Sequence, residues 1–332
     1  MTPILEVSGL STHYVSARGT RVTRAVEDVS LTLEAGKTLG IVGESGSGKT
    51  TLALSLMRLL PPAARIAGGS MRFEGEELLE KSDSEMRAIR GKRMAMILQD
   101  PMASLNPLFT VGDQIGETLR EHEGMRRRGA WARARELLAA VNIAAPERRV
   151  GEYPHQLSGG MRQRVVGAIA IACGPRLLIA DEPTTSLDLT IQAQYLQLLH
   201  ALQRERGLAM IFITHNLGIV AKMCDTVAVM YAGRIVESGP VRRIFDAPAH
   251  PYTRALIESI PRFGDTTARL TAVEGQPPDP AALPGGCAFH PRCPIAIERC
   301  RTEAPTESRV AAQHHARCWL AAETPVRRIR TG

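Results

Sequence analysis

Short apolar runs separated by turn residues fill the first part of the chain, at residues 4–10, 29–33, 38–42, 71–73 and 94–98. Runs of this length between Gly-, Asp- and Glu-containing breaks read as strands. They predict a mixed, partly antiparallel sheet. From about residue 101 to 173 the pattern turns helical, and residues 131–141 form an amphipathic stretch. Alternation returns at 177–180, 191–206, 210–214 and 226–230, where strand and helix segments take turns as in a parallel α/β layer. Residues 231–239 read as a hairpin turning at Ala232-Gly233. No internal repeat is present. A Pro-rich stretch at 276–284 sets off a last segment that holds four of the six cysteines.

Composition sharpens this picture in two places. The 332 residues suffice for two domains, and 44% hydrophobic content supports a buried core. The longest uncharged apolar stretch, 165–175, is far short of the roughly 20 residues that cross a bilayer. Glu6 interrupts the first apolar segment, so no signal peptide is expected. The expected location is the cytoplasm, with any membrane contact made through partners. A net charge of +7 favours nucleotide, anionic headgroups or nucleic acid. The arginine runs at 126–128 and 327–330 read as solvated faces or tails.

The first chemistry lies just after the run 38–42. Gly43, Glu44, Ser45, Gly46, Ser47, Gly48, Lys49 and Thr50 spell G-x-x-x-x-G-K-T, followed by Thr51 and an apolar helical segment reaching residue 60. Strand, glycine-rich loop and helix are the context a phosphate loop requires. The glycines let backbone N–H groups face phosphate oxygens, and the helix presents the positive end of its dipole. Lys49 reaches the outer phosphates, and Thr50 offers its hydroxyl to Mg²⁺. Residues 177–180 then deliver Asp181 and Glu182 at the end of a buried strand. Asp181 is placed to hold the hydrated Mg²⁺, and Glu182 to polarise an attacking water.

With LSGGMRQR at 157–164 added, the chain resembles the ATPase subunit of an ATP-binding-cassette (ABC) transporter over most of residues 1–248. The resemblance implies an α/β ABC nucleotide-binding domain, a RecA-like core with an antiparallel β-subdomain and an α-helical subdomain at about 101–173. A small Cys-containing C-terminal extension follows at 249–332. In that family two domains pair head to tail, and each ATP is clamped between one chain's phosphate loop and the other's signature, here Ser158, Gly159, Gly160 and Gln163. Gln99 is similar to the family's glutamine that senses Mg²⁺ and water, His215 to its switch histidine, Asp188 to its interface loop, and Tyr14 to its adenine-stacking aromatic. Asn216 departs from the Asp usual after the histidine, although both residues cap helices well.

DPMASLNPLFTVGDQIGE, from residue 100, resembles the loop of peptide and nickel importer ATPases, and Leu105, Leu108 and Phe109 offer an apolar face for a permease helix. HPYTRALIESIPR, from residue 250, opens an extension like that of peptide importers. The resemblance implies an ATP hydrolase energising dipeptide or oligopeptide import at the cytoplasmic face of the membrane. Its partners are two permease subunits, a second ABC ATPase and, indirectly, a solute-binding protein. Nickel and glutathione import stay open as alternatives, as does a soluble ATPase of another class, nucleic-acid-associated or redox-regulatory. A nucleic-acid partner is not expected, because the chain has neither a second cassette nor a long insertion between the motifs. Cys287, Cys293, Cys300 and Cys318 are spaced C-x5-C-x6-C-x17-C. Clustered thiols in a cytoplasmic protein point to metal over disulfides. Some family members carry a [4Fe–4S] cluster there, which four thiolates suit; zinc and free thiols stay open, with His290, His314 and His315 nearby. Cys173 and Cys224 read as packing residues.

Overall fold

The computed structural model describes residues 3–17, 19–100, 104–185, 187–260 and 273–321. The chain opens with strands β1 (Pro3–Val15), β2 (Val22–Glu34) and β3 (Thr38–Val42), then helix α1 (Lys49–Leu56), β4 (Ala64–Phe73), β5 (Glu76–Glu77), α2 (Asp83–Ile89) and β6 (Met94–Ile97). A helical region follows: α3 (Val111–Glu123), α4 (Arg127–Ala140), α5 (Pro146–Arg149) and α6 (Gly159–Ala170). Alternation resumes through β7 (Leu177–Asp181), α7 (Leu189–Arg206), β8 (Ala209–Ile213), α8 (Leu217–Met223), β9 (Thr226–Tyr231) and β10 (Arg234–Pro240). The remainder holds α9 (Val241–Asp246), α10 (Pro251–Glu258), α11 (Glu298–Thr302), β11 (Ser308–Ala311) and β12 (His314–Ala316). The chain folds as two compact units, one largely of residues 33–37 and 73–212, the other largely of 5–32, 38–72 and 213–321.

In the first unit β6 and β7 pair in parallel, with Met94 opposite Leu177 and Ile97 opposite Ala180. All five residues of β7 are buried. A strand covered on both faces needs an apolar run such as 177–180, which here ends in the buried carboxylate of Asp181. The helices bury Ile115, Leu119, Leu137, Leu138, Val165 and Val166. Thr110 caps α3 by accepting from the Asp113 N–H, and Gly124, at φ 64°, ends it in the left-handed turn that glycine tolerates. The Trp131 indole donates to Asp113 across 3.1 Å, fixing α4 on α3. Arg126, Arg127 and Arg128 are exposed, as expected of a solvated run.

In the second unit β3 pairs in parallel with β9, setting Leu39 opposite Thr226 and Val42 opposite Val229. The hairpin of β9 and β10 turns at Ala232 and Gly233, both at positive φ (47° and 82°), the backbone of a tight primed turn. β12 then adds antiparallel to β10, with Glu237 opposite Ala316. β1 and β2 each run 13 residues, longer than the apolar runs at 4–10 and 29–33 foretell. Polar positions such as Thr12, buried and 2.8 Å from the Ser55 hydroxyl, continue the inward face where hydropathy does not. Tyr231, Tyr252 and Phe289 pack in one cluster of tilted and edge-on rings, centroids 4.6 to 5.4 Å apart.

Beside that cluster Glu237 is 1% exposed. Its carboxylate accepts from the Ala249 and His250 N–H groups at 2.7 and 2.9 Å and pairs with His314 Nε2 at 2.7 Å. His250 is itself buried, and burial pushes its pKa down from 6.5 to about 4 against the pull of Glu237. The folded chain therefore keeps His250 neutral where the unfolded chain protonates it. This contribution is full above pH 6.5 and shrinks as pH falls toward 4. Between pH 7 and 5 it costs about 2 kcal/mol of stability. Urea unfolding should show this acid loss in the parent chain and a flatter pH profile in His250→Gln.

Candidate nucleotide-binding site

The phosphate loop leaves β3, whose five residues are all buried, and turns into α1. A Cβ on Gly48, at φ 102°, would lie 2.2 Å from the Ala25 carbonyl oxygen, and one on Gly43 would lie 2.2 Å from that of Met230. Both glycines are required by close backbone approach. Gly46, at φ 80°, faces open space. The Lys49 ammonium donates to the Gly43 and Glu44 carbonyls at 2.7 and 2.9 Å and lies 3.4 Å from Ser47 Oγ. No side chain caps α1, so the positive end of its dipole faces the loop. Ser45 and Thr50 are exposed, Thr51 half-buried. The hairpin tip buttresses the loop, since Gly233 N–H donates to Ser47 O and Gly233 O accepts from Glu27 N–H. The Tyr252 hydroxyl accepts from the Glu44 N–H at 2.9 Å.

The same unit carries His215 and Tyr14. His215 is exposed after β8, and Asn216 caps α8 by accepting from the Gly218 and Ile219 N–H groups. Asn216 thus caps the helix itself, without the Asp that the resemblance led one to expect. Tyr14 is half-buried on β1.

The first unit brings Gln99 and Glu182 together. Asp181 ends β7 with 1% exposure. Glu182 adopts φ 45°, a left-handed backbone that costs a non-glycine residue about 1–3 kcal/mol. Its Oε2 accepts from Thr185 Oγ1 at 2.8 Å and from Gln99 Nε2 at 3.4 Å. In the signature, Ser158 caps α6 by accepting from the Met161 N–H. Gly159 is open, whereas a Cβ on Gly160 would press within 2.7 Å of Ile191. Gln163 is 1% exposed beside buried Tyr195, whose hydroxyl is pushed well above the usual tyrosine range by burial. Asp188 caps α7 through the Ile191 N–H, a local role the motif alone does not reveal. Leu108 and Phe109 are 80% and 53% exposed, but Leu105 is 4% exposed. The expected apolar face thus loses Leu105, which packs inward; Pro101 lies outside the described residues.

Cys287, Cys293, Cys300 and Cys318 line one cavity of about 10 Å³, with His290, Phe289 and Trp319 among its walls. That is about the space one water needs. Burial raises the Cys287 thiol to about 11 and the Cys293 and Cys318 thiols above the usual range. Among the described residues no three His, Cys, Asp or Glu are grouped to hold a metal ion. The donor chemistry suits iron–sulfur or zinc, but the thiols as placed do not form a ligand shell. His314 is committed to Glu237. Cys224 packs against Gly40, and its thiol too is raised by burial; Cys173 is half-buried.

Each unit carries part of the pattern of a nucleotide-hydrolysing cassette, the glycine-rich loop before α1 in the second and the acid pair and capped helix α6 in the first. The family described as ABC transporter matches residues 26–185, and that described as oligopeptide/dipeptide transporter, C-terminal region, matches 236–300. A Brucella melitensis protein provisionally named as a peptide import ATP-binding protein is 50% identical over 95% of this chain and 96% of its own length. The oligopeptide transport ATP-binding protein OppD of Haemophilus influenzae is 46% identical over 97% of this chain and 99% of its own. Among solved structures, a dimeric ATP-binding cassette in a post-hydrolysis state with ADP and Pi superposes with a TM-score of 0.64 at 26% identity, over 72% of this chain and 99% of that one. Another, cbiO1 of Clostridium perfringens, part of an ABC transporter complex, gives 0.62 at 26% identity, over 74% and 91%. The chain belongs to the ABC transporter ATP-binding subunits, a family of ATP hydrolases.

Sequence reasoning passed over Tyr252 and Arg292, which reach Glu44 from 208 and 248 residues away along the chain. Both stand in legible motifs, HPYT and HPRC, yet no local pattern ties them to the loop. The crowding at Gly48 gives a direct test. Gly48→Ala should weaken Mg-ATP binding more than tenfold, read by titration with a fluorescent ATP analogue.

Proposed function

We propose that the chain hydrolyses ATP to drive import of dipeptides or oligopeptides through a membrane permease. The observation that carries hydrolysis is Glu182, held in a strained backbone at the end of a buried strand with Gln99 beside its carboxylate. Peptides as cargo rest on likeness of the C-terminal region to oligopeptide/dipeptide transporters and on the names of the relatives. In this reading Gly43 to Thr51 cradle the phosphates, and Tyr14 stacks on adenine. Thr50, Gln99 and Asp181 hold Mg²⁺, Glu182 takes the proton of the attacking water, and His215 contacts the γ-phosphate. Ser158, Gly159, Gly160 and Asp188 meet the nucleotide of a second ATPase chain, whereas Gln163, expected to join them, is buried against Tyr195 and braces the signature helix from within. Residues 1–248 are the nucleotide-binding domain, with the helical subdomain at about 101–173, and 249–332 the extension.

The partners are two permease subunits and a second, related ATPase, with a solute-binding protein acting through the permease. Among the described residues no helix is long and apolar enough to cross a membrane. Attachment to the inner face of the membrane therefore runs through the permease, with Leu108 and Phe109 as the exposed apolar contact. The four cysteines of the extension would have to draw closer together than they are placed to hold a [4Fe–4S] cluster; bound there, it would staple a segment poor in apolar residues.

Four measurements test these roles. Glu182→Gln should bind Mg-ATP yet lose at least a hundredfold in turnover; parental turnover would exclude Glu182 as the base. Purified with ATP from its own solubilised membranes, that variant should bring two permease chains and a second ATPase, and Lys49→Ala should abolish ATP-driven peptide uptake. Iron and acid-labile sulfide after anaerobic isolation decide the cluster: about four of each per chain would require the four thiols to draw closer together than they are placed here, and less than one iron removes it.

A further inference from the structure

The second residue of the phosphate loop is an acid. Glu44 places a carboxylate, 26% exposed, beside a loop whose chemistry is to receive the most negatively charged part of a nucleotide. At an effective dielectric constant of about 20, a unit charge several ångströms from a phosphate repels it by about 2 kcal/mol per charge. An acid there therefore needs a cation, and the extension supplies one. Arg292, its side chain 4% exposed, grips Glu44 fork to fork, with Nη1 donating to Oε2 at 2.7 Å and Nη2 to Oε1 at 3.0 Å.

Every other donor of that guanidinium is also used. Nη1 reaches the Tyr231 hydroxyl at 3.3 Å, Nη2 the Val273 carbonyl at 3.1 Å and Nε the Glu274 carbonyl at 2.8 Å. Arginine has five N–H groups in a rigid plane, and five are engaged. The plane also lies 5.8 and 5.9 Å from the Tyr231 and Phe289 ring centres, a cation over aromatic faces. Such a group is immobilised before any nucleotide arrives. Glu44 is held just as completely, since its N–H donates to Tyr252, its carbonyl accepts from Lys49 and its carboxylate accepts from Arg292. Both Tyr252 and Arg292 come from beyond residue 248. Arg292 sits in the single helical turn His290–Arg292, directly before Cys293.

We infer that Arg292 neutralises Glu44 within the phosphate loop, so that the C-terminal extension is a working wall of its own chain's nucleotide site. The inference rests on residues 43–50 being the phosphate loop. It makes Arg292 a positioning residue that acts on ATP through Glu44 and never touches the reacting atoms.

The test is Mg-ATP affinity of full-length variants, read with a fluorescent ATP analogue at low and high salt. Arg292→Gln strips the countercharge and should raise Kd about tenfold at low salt, with the deficit shrinking at high salt as the bare carboxylate is screened. Adding Glu44→Gln to it removes the repulsion, and the double variant should recover most of the lost affinity. A residue that merely braced the fold would give a double variant no better than the single. Parental affinity in Arg292→Gln, or no recovery in the double variant, overturns the inference. Should Arg292→Gln fail to fold, Arg292→Lys takes its place, keeping the charge without the fork. A Kd within about threefold of parental upholds neutralisation, and a tenfold loss overturns it. Lys49→Ala in the same assay separates the two levels of reading. If that variant binds ATP like the parent, the phosphate-loop reading fails; if it loses binding while Arg292→Gln does not, only the present inference fails.

Discussion

A single buried carboxylate organises the second unit. Glu237 projects from β10 with almost no exposure, and an ion so placed is tolerable only when its lone pairs are met by donors. The donors are the Ala249 and His250 N–H groups and the His314 ring, which belong to the entry into α10 and to β12. Three segments distant in sequence are thereby fixed to one oxygen pair. From that anchor the chain places Tyr252 and, through Phe289, Arg292, within reach of the phosphate loop. If the anchor were lost, the contacts at Glu44 would have no fixed origin.

What the sequence made legible follows from how far each signal travels. β3 and β7 are mostly apolar runs, and β3 opens into a glycine-rich loop while β7 ends on Asp181 of an acid pair, so strand, loop and chemistry are all local. Ser158 and Asn216 could be read as caps for the same reason, because a cap acts within three residues. β1 and β2 were only half visible, since their outer positions are polar and Thr12 is buried through a hydroxyl partner that hydropathy cannot see. Leu105 was misjudged because an apolar residue in a loop carries no mark of which way it faces. Arg292 was beyond reach: one arginine among many gains meaning only from a carboxylate 248 positions away.

Strain and capping divide the labour at the residues proposed for chemistry. Glu182 is kept in a left-handed backbone at the close of a rigid, buried strand, which fixes its carboxylate without help from a helix. Ser158, Asp188 and Asn216 each satisfy a helix's first-turn amides with a side-chain oxygen, so the backbone beside each functional loop is set before ligand arrives. Preset geometry lowers the ordering entropy that binding must overcome.

Tips of β-hairpins are ordinarily where a chain accepts foreign sequence, because nothing but solvent touches them. The tip at Ala232-Gly233 is an exception. Gly233 gives its N–H to Ser47 and takes one from Glu27, and a side chain there would crowd the carbonyls of Arg24 and Ala25. An insertion harmless to the hairpin itself would thus unseat the loop beneath it, so this tip is a poor place to graft foreign sequence.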